Sequence, residues 1–328
     1  MANQVAGEND PRILVQIRAF LNALNQSDAK PMETMEPSEA RKVLEDAQKS
    51  VEVDTSDIIE TQKGISQDGQ TININIIRPD SVSIDQILPA FIFIHGGGWV
   101  LGDYLTHKRL IRDLVVNSGA AAIYVDYTRS PEATYPTAIN QIYAVTKWIS
   151  QNGNEIGIDG KNLAIVGNSV GGNMATVTCI MARDKKGPEI KFQLLMWPVT
   201  DSDFSRESYT KYAEGRFLTT GMMKWMWDNY LVDIQKRKEK YASPLQATIE
   251  ELKGLPPALI QLAENDILFD EGLAYARKLN ESGVPITIQT YNGLIHDFGL
   301  LNPLHQVPAV KEAVKQAAFA LKEALRNS

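Results

Sequence analysis

A serine flanked by glycines, Ser169, follows an apolar run in the stretch LAIVGNSVGGNMA at residues 163–175. Glycine adopts backbone angles that other residues avoid, so the run predicts a tight turn between a strand and a helix. The residues from Gly167 to Gly171 form a G-x-S-x-G pattern, which is weak alone but informative between a β-branched strand and a helix. In that setting the serine oxygen stands exposed and can act as a nucleophile. A tight connecting turn without chemistry is the alternative.

A second glycine run, HGGGW at residues 95–99, directly follows the apolar segment AFIFI. Three consecutive glycines weaken any regular element, and they leave backbone N–H groups open to a closely approaching partner. An oxyanion is such a partner, and a phosphate group is the alternative. The run lacks both the Gly-Lys-Ser/Thr ending of a P-loop and the spacing of a dinucleotide-binding turn. We expect His95 to anchor this loop rather than to catalyse.

A serine hydroxyl needs an adjacent base to become a nucleophile, and the chain has four histidines. His296 lies in NGLIHDF, just after the predicted strand ITIQTY, where a side chain reaches the end of the sheet. It is the preferred base. His107, at a polar helix start, and His305, near a proline, are expected to have surface or capping roles.

The base needs a carboxylate that fixes its tautomer and stabilises the imidazolium. The stretch LAENDILFDEG follows another predicted strand and offers Asp266, Asp270 and Glu271. Asp270 precedes a helical pattern, which is typical of a helix N-cap. Asp266 falls in the loop just past the strand and is the preferred acid.

The elements that must position these residues alternate along the chain from about residue 70 onward. The first predicted strand, TININIIRP at 71–79, alternates polar and apolar residues, as expected of a strand near a sheet edge. The others are continuously apolar and are expected to be covered on both faces: they span 90–95, 120–127, 163–167, 192–198, 258–263 and 286–291. Helical stretches such as 138–151 and 270–283 lie between them. This alternation predicts an α/β fold with a mostly parallel sheet and helices on both faces.

Two regions fall outside the alternation and are interpreted as a helical cap over the strand ends. Residues 11–50 read as two helices, and residues 204–240 are helical, aromatic and rich in methionine. The expected organisation is N-terminal cap helices at 1–50, a first core part at 51–203, a cap insertion at 204–242 and a second core part at 243–328. Extra core helices are the alternative. Candidates to line a substrate pocket between cap and strands are Trp99, Phe217, Met222, Trp225 and Met226.

Composition excludes several classes of protein. With 44% hydrophobic and 22% charged residues the chain is typical of a soluble globular protein, and its net charge of -7 argues against a nucleic-acid binder. No run reaches the roughly 18 apolar residues that span a bilayer, and the start lacks a signal-peptide pattern. The single cysteine, Cys179, excludes an internal disulfide framework. We therefore expect a cytoplasmic protein without membrane insertion.

Five spaced motifs resemble the hormone-sensitive-lipase-like (bacterial family IV) esterases of the α/β-hydrolase superfamily. In chain order they are HGGGW at 95–99, VDYTRSPEATYP at 125–136, GNSVGG at 167–172, ENDILFDEG at 264–272 and GLIHDF at 293–298. The likeness runs from about residue 70 to the end of the chain. The order Ser, Asp, His, each after a predicted strand, is also the order of that fold.

The resemblance implies a serine carboxylesterase that hydrolyses short- to medium-chain esters through an acyl-enzyme intermediate, without a cofactor or metal. By motif position it assigns catalysis to Ser169, Asp266 and His296 and the oxyanion hole to the N–H groups of Gly97, Gly98 and Val170. His95 and Glu132 are expected to support the loops. A small-molecule ester is the expected partner, and the family implies a possible homodimer. Hydrolysis of an amide, lactone or carbamate, and a non-catalytic small-molecule receptor, are the alternatives.

The resemblance breaks at the two residues beside the serine. The family usually has Asp before the nucleophile and Ala after it, whereas this chain has Asn168 and Val170. Asn168 removes a negative charge from the site, and the branched side chain of Val170 is expected to narrow the acyl pocket. These departures affect the expected substrate preference more than the reaction.

Overall fold

The computed structural model describes residues 5–27 and 30–326, and its regular elements follow the predicted alternation. The strands of this part of the chain are β1 (Ile58–Gln67), β2 (Gln70–Pro79), β3 (Leu88–Ile94), β4 (Ala121–Asp126), β5 (Ile158–Asn168), β6 (Phe192–Met196), β7 (Ala258–Asn265) and β8 (Ile286–Ile295). Its α-helices are α1 (Val15–Asn25), α2 (Pro37–Lys49), α3 (Tyr104–Ser118), α4 (Thr137–Asn152), α5 (Val170–Asp184), α6 (Glu207–Lys211), α7 (Thr220–Tyr230), α8 (Phe269–Glu281) and α9 (Pro308–Arg326).

The strands form one sheet in the order β1-β2-β4-β3-β5-β6-β7-β8. Strand β2 pairs antiparallel with both β1 and β4, and every pairing from β4 to β8 is parallel. The carboxyl ends of β3, β5, β7 and β8 therefore meet at one edge, where ligands bind in open α/β sheets. The expected α/β architecture with a mostly parallel sheet is confirmed.

Two strands differ from expectation because of their place at the edges of the sheet. Strand β1 was not predicted, since its sequence IIETQKGISQ has no continuous apolar run and most of it is exposed. Strand β8 was expected to be covered on both faces, and this is wrong: it is the other edge strand, and its first half is partly exposed. Its alternating Thr and Gln residues fit that position.

The core lies on both faces of the sheet because helices cover each of them. Along β3, Ile92 and Ile94 pack into a cluster with residues of α4, α5 and α8. Phe91 and Phe93 point to the opposite face and pack with residues of α3, α9 and α1. Cys179 is buried in the first cluster, on the helix after Ser169. No helix among residues 5–27 and 30–326 is long and apolar enough to cross a bilayer.

The N-terminal segment and the insertion after β6 contact each other. Both predicted N-terminal helices are present, as α1 and α2. The insertion was expected to be helical throughout, but it holds α6, α7 and a single 3-10 turn at Lys236–Lys238. Between α6 and α7 the chain turns at Gly215 and Phe217, both with positive φ. Arg216 in this turn forms an ion pair of 2.9 Å with Asp10, and both side chains are 2% exposed. Residues 1–4 and 28–29 of the predicted first segment, and residues 327–328 of the predicted second core part, lie outside the described residues.

Candidate active site

The serine of the glycine-rich turn lies at the sharp junction between β5 and α5. Strand β5 ends at Asn168, and Ser169 has φ 55° and ψ −123° before the helix begins at Val170. A non-glycine residue at positive φ is strained and is kept only where its surroundings enforce it. Here the surroundings are tight, since a Cβ on Gly167 would collide with Gly171, and one on Gly171 would collide with Ile94 O. The glycines thus bring the helix against the sheet and raise Ser169 above the strand ends.

Three predicted residues from three loops meet at this point. The Oγ of Ser169 lies 3.0 Å from Nε2 of His296, and Nδ1 of His296 lies 2.7 Å from Oδ2 of Asp266. The three residues are between 2% and 4% exposed. The arrangement lets the imidazole take a proton from the hydroxyl while the carboxylate fixes its tautomer.

The acid is fixed by its own loop. Asp266 directly follows β7, and its Oδ1 accepts a hydrogen bond of 2.9 Å from Leu268 N. The expected N-cap role of Asp270 is wrong, because α8 begins one residue earlier, at Phe269. Asp270 instead accepts a hydrogen bond from Ser208 N in the insertion.

Two carboxylates control the charge of His296. Burial opposes protonation of the ring, but the charges of Asp266 and Asp297 outweigh it and hold the pKa of His296 above its ordinary value. The histidine is therefore a stronger base than an isolated imidazole. Its positive charge is also stabilised once it has accepted a proton.

The HGGGW loop contacts the strand that carries the serine, since Gly96 N donates a hydrogen bond of 3.0 Å to Asn168 Oδ1. Gly97 and Gly98 have φ of 103° and 63°, and a Cβ on Gly97 would lie 2.6 Å from Leu101 O. Among the described residues, none accepts a hydrogen bond from the N–H of Gly97, Gly98 or Val170. Three donors are thus left for a negatively charged oxygen.

The chain is similar to known proteins in sequence and in fold. The sequence profile of the family described as alpha/beta hydrolase fold matches residues 91–300. The chain belongs to the α/β-hydrolase family. It is 35% identical to the carboxylesterase NlhH of Mycobacterium tuberculosis, over 80% of this chain and 82% of that protein. It is 31% identical to an ethyl acetate hydrolase of Pseudomonas putida, over 82% of this chain and 85% of that protein.

Solved structures of related α/β-hydrolases are similar over nearly the whole chain. A thermostable esterase from Pseudomonas putida ECU1011 is 57% identical with a TM-score of 0.96, covering 97% of this chain and 99% of that one. An esterase from Rhizomucor miehei is 33% identical with a TM-score of 0.90, covering 96% and 97%. The resemblance to hormone-sensitive-lipase-like esterases is confirmed, and the chain is a carboxylic ester hydrolase.

Residues that the sequence singled out support the HGGGW loop at 95–99, which is called the oxyanion loop below after its expected role. His95 contacts Gly96 O through Nδ1 at 2.8 Å and stacks on Tyr127 at 4.1 Å. Glu132 accepts two hydrogen bonds, of 2.8 and 2.6 Å, from Arg41 of α2 and so ties its loop to the N-terminal segment. The surface or capping role expected for His107 is wrong, since this residue is fully buried against the ring of His95.

His305 fits its expected capping role. It follows the short helical turn Asn302–Leu304, and its Nδ1 lies 2.6 Å from Asn302 O.

The candidate pocket residues of this α/β-hydrolase lie at different depths. Met226 packs directly on the oxyanion loop, since a Cβ on Gly98 would collide with its Sδ. Trp99, the last residue of the HGGGW loop, is buried and stacks on Tyr230 with ring centroids 4.1 Å apart. Met222 is buried, and Trp225 and Phe217 are half-buried.

Sequence reasoning assigned no role to two buried carboxylates whose charges act on His296 of the enzyme, Asp297 and Glu271. Asp297 Oδ2 lies 3.8 Å from His296 Nε2. Glu271 was considered only as an alternative acid, yet it accepts hydrogen bonds from Thr200 N and Asp201 N at 2.6 and 3.2 Å and from Tyr209 Oη. Both residues stand inside motifs quoted from the sequence, Asp297 in GLIHDF and Glu271 in ENDILFDEG, but their distant partners left no signal there.

Proposed function

We propose that this enzyme hydrolyses short- to medium-chain carboxylic esters, with Ser169 as nucleophile, His296 as base and Asp266 as the acid that orients it. The proposal rests above all on the continuous contact from Ser169 Oγ through the imidazole to the carboxylate, at 3.0 and 2.7 Å. A serine with no such base has little nucleophilicity at neutral pH.

The first half-reaction forms an acyl-enzyme. His296 Nε2 takes the proton of Ser169 Oγ as the oxygen attacks the ester carbonyl carbon, and the carbonyl oxygen becomes negatively charged. The N–H groups of Gly97, Gly98 and Val170 donate hydrogen bonds to it. When the carbon–oxygen bond to the alcohol breaks, His296 gives its proton to the leaving alkoxide, and the acyl group stays on Ser169.

The second half-reaction repeats these steps with water. His296 takes a proton from a water molecule as the water oxygen attacks the acyl carbon. The same three N–H groups donate hydrogen bonds to the carbonyl oxygen, which becomes negatively charged. The bond to Ser169 Oγ then breaks, His296 returns the proton to the serine, and the carboxylic acid leaves.

A short acyl chain fits the closeness of the cap to the reacting groups. We assign residues 1–50 and 204–242 to this cap, and Met226 of α7 lies on Gly98, where the side chain limits the space beside the oxyanion. A relative from Pseudomonas putida is named an ethyl acetate hydrolase. A serine-to-alanine variant of the 57% identical esterase rPPE was solved in complex with (S)-Ac-CPA.

The test is hydrolysis of a panel of p-nitrophenyl esters, from acetate to dodecanoate, with matched amides and lactones. S169A is expected to lose at least about 10⁴-fold in kcat on every substrate, whereas S205A, an exposed serine of the insertion, keeps wild-type rates. Near wild-type hydrolysis by S169A contradicts the proposed nucleophile. A preference for dodecanoate contradicts the proposed chain length, and faster cleavage of amides than of esters contradicts the proposed bond.

A further inference from the structure

We propose that Asn168 and Asp297 are positioning residues that join the oxyanion loop, the nucleophile strand and the base loop into one hydrogen-bonded unit. The proposal rests on the proposed function of Ser169 and His296 and extends it to the two residues next to them in the chain.

The side-chain amide of Asn168 connects two loops with opposite polarity. Its Oδ1 accepts a hydrogen bond of 3.0 Å from Gly96 N, in the oxyanion loop. Its Nδ2 donates one of 3.0 Å to Asp297 Oδ1, in the base loop. An aspartate at position 168 would have no N–H to donate to Asp297, and a leucine would have neither a donor nor an acceptor. Both hydrogen bonds therefore need a side-chain amide. The contact is close, since a Cβ on Gly96 would lie 2.5 Å from Asn168 Nδ2.

Asp297 is a buried carboxylate without a cationic side chain of its own. It is 5% exposed, and within the described part of the chain its ion-pair contact is with His296, at 3.8 Å. Trp197 Nε1 donates a hydrogen bond of 2.6 Å to its Oδ1, the oxygen that also accepts from Asn168. Burying a carboxylate without a Lys or Arg partner is costly. Its position beside His296 therefore indicates that the carboxylate stabilises the positive charge that the imidazole carries in each half-reaction.

The charged and titratable groups around this unit are few. His296 faces Ser169, Asp266 and Asp297, with Glu271 further away. Asp297 also acts on the buried His107. Removing the charge of Asp297 thus lowers the affinity of His296 for a proton, while Asp266 still orients the ring.

Three variants separate hydrogen bonding from charge. In D297N the remaining oxygen accepts from both Trp197 and Asn168, so only the charge is lost. In N168D two carboxylates meet at the 3.0 Å contact. In N168D/D297N the two side chains are exchanged. The carboxylate at position 168 then accepts from Gly96 N and from the amide nitrogen at position 297. That nitrogen takes the place of Asp297 Oδ1, so the hydrogen bond from Trp197 Nε1 is lost while the two bonds of position 168 are kept.

The experiment measures kcat, KM and the pH profile of kcat/KM with p-nitrophenyl acetate. For D297N we expect the acidic limb to move down by about one pH unit. N168D is expected to lose at least about tenfold in kcat with little change in KM, because adjacent carboxylates cannot both ionise without separating the loops. The exchange variant is expected to regain at least about threefold in kcat over N168D, because the hydrogen bond between positions 168 and 297 is restored, and to keep an acidic limb below that of wild type.

Two results overturn the proposal: an acidic limb of D297N at the wild-type position, or an exchange variant as slow as N168D. Thermal melts show which variants fold, and if N168D does not, D297N and the exchange variant decide alone, since both keep the hydrogen bond between positions 168 and 297. A fluorophosphonate labels wild-type Ser169 if the proposed function holds. If wild-type Ser169 is not labelled, both the proposed function and the proposal for Asn168 and Asp297 are wrong. If it is labelled but the acidic limb of D297N stays at the wild-type pH, only the proposal for Asn168 and Asp297 is wrong.

Discussion

Glu271 makes the stability of this enzyme fall as the pH rises through neutrality. Burial, opposed by the hydrogen bonds from Thr200 N and Tyr209 Oη, raises the pKa of this carboxyl from 4.5 to about 8. The folded protein therefore holds a proton on Glu271 at pH 7 that the unfolded chain releases. We expect E271Q to remove this dependence, because a glutamine oxygen accepts the same backbone hydrogen bonds and its amide donates to Tyr209.

The sign and size of the effect follow from the two pKa values. A carboxyl whose pKa is raised on folding contributes stability that is complete below pH 4.5 and is lost as the pH rises to about 8. Between these values the free energy of unfolding falls by about 1.4 kcal/mol per pH unit. From pH 6.5 to pH 8 the loss is about 1.5 kcal/mol, since Glu271 is half ionised at the upper limit.

The assay is urea denaturation followed by tryptophan fluorescence at several pH values between 6.5 and 8. The free energy of unfolding of E271Q is expected to rise by about 1.5 kcal/mol relative to wild type across this range. Taking the difference cancels the titration of the histidines, which both proteins share. E281Q, an exposed position on the same helix, is the matched control and is expected to run parallel to wild type. Parallel curves for E271Q and wild type would refute the reasoning.

Two further predictions concern the cap. M226A is expected to raise the ratio of kcat/KM for octanoate over acetate esters at least about tenfold, because the thioether that packs on Gly98 is removed; an unchanged ratio places the acyl chain elsewhere. R216M is expected to lower the free energy of unfolding by about 3 kcal/mol, since it leaves Asp10 buried with Arg12 as its one remaining cation among the described residues. Urea melts of R216M, D10N and D10N/R216M measure this, and additive losses contradict a direct pairing.

The residues of the proposed triad could be placed from the sequence because each follows a strand of a parallel sheet. Apolar runs show where such strands end, and parallel strands bring their carboxyl ends together. Ser169, Asp266 and His296 therefore had to lie near one edge, although their sequence separation is large. The antiparallel strand β1 left no such signal, because its side chains are mostly exposed.

Local patterns failed where a distant contact decides the environment. His107 lies in a polar stretch of sequence, but the packing of α3 against the oxyanion loop buries it completely. Asp270 is of a residue type that often caps helices, yet its carboxylate accepts a hydrogen bond from Ser208 N of the insertion. The partners of Asp297 are equally remote, since Asn168 precedes it by 129 positions. No short window of sequence contains these pairs.

The ion pair between Asp10 and Arg216 also has a consequence for the order of folding. The two residues are 206 positions apart. During synthesis Asp10 therefore cannot form this ion pair until Arg216 has left the ribosome, after most strands of the sheet. Contacts of such long range are formed late, after local elements and neighbouring strands. The contact between the N-terminal segment and the insertion can therefore form only after strands β1 to β6 have been made.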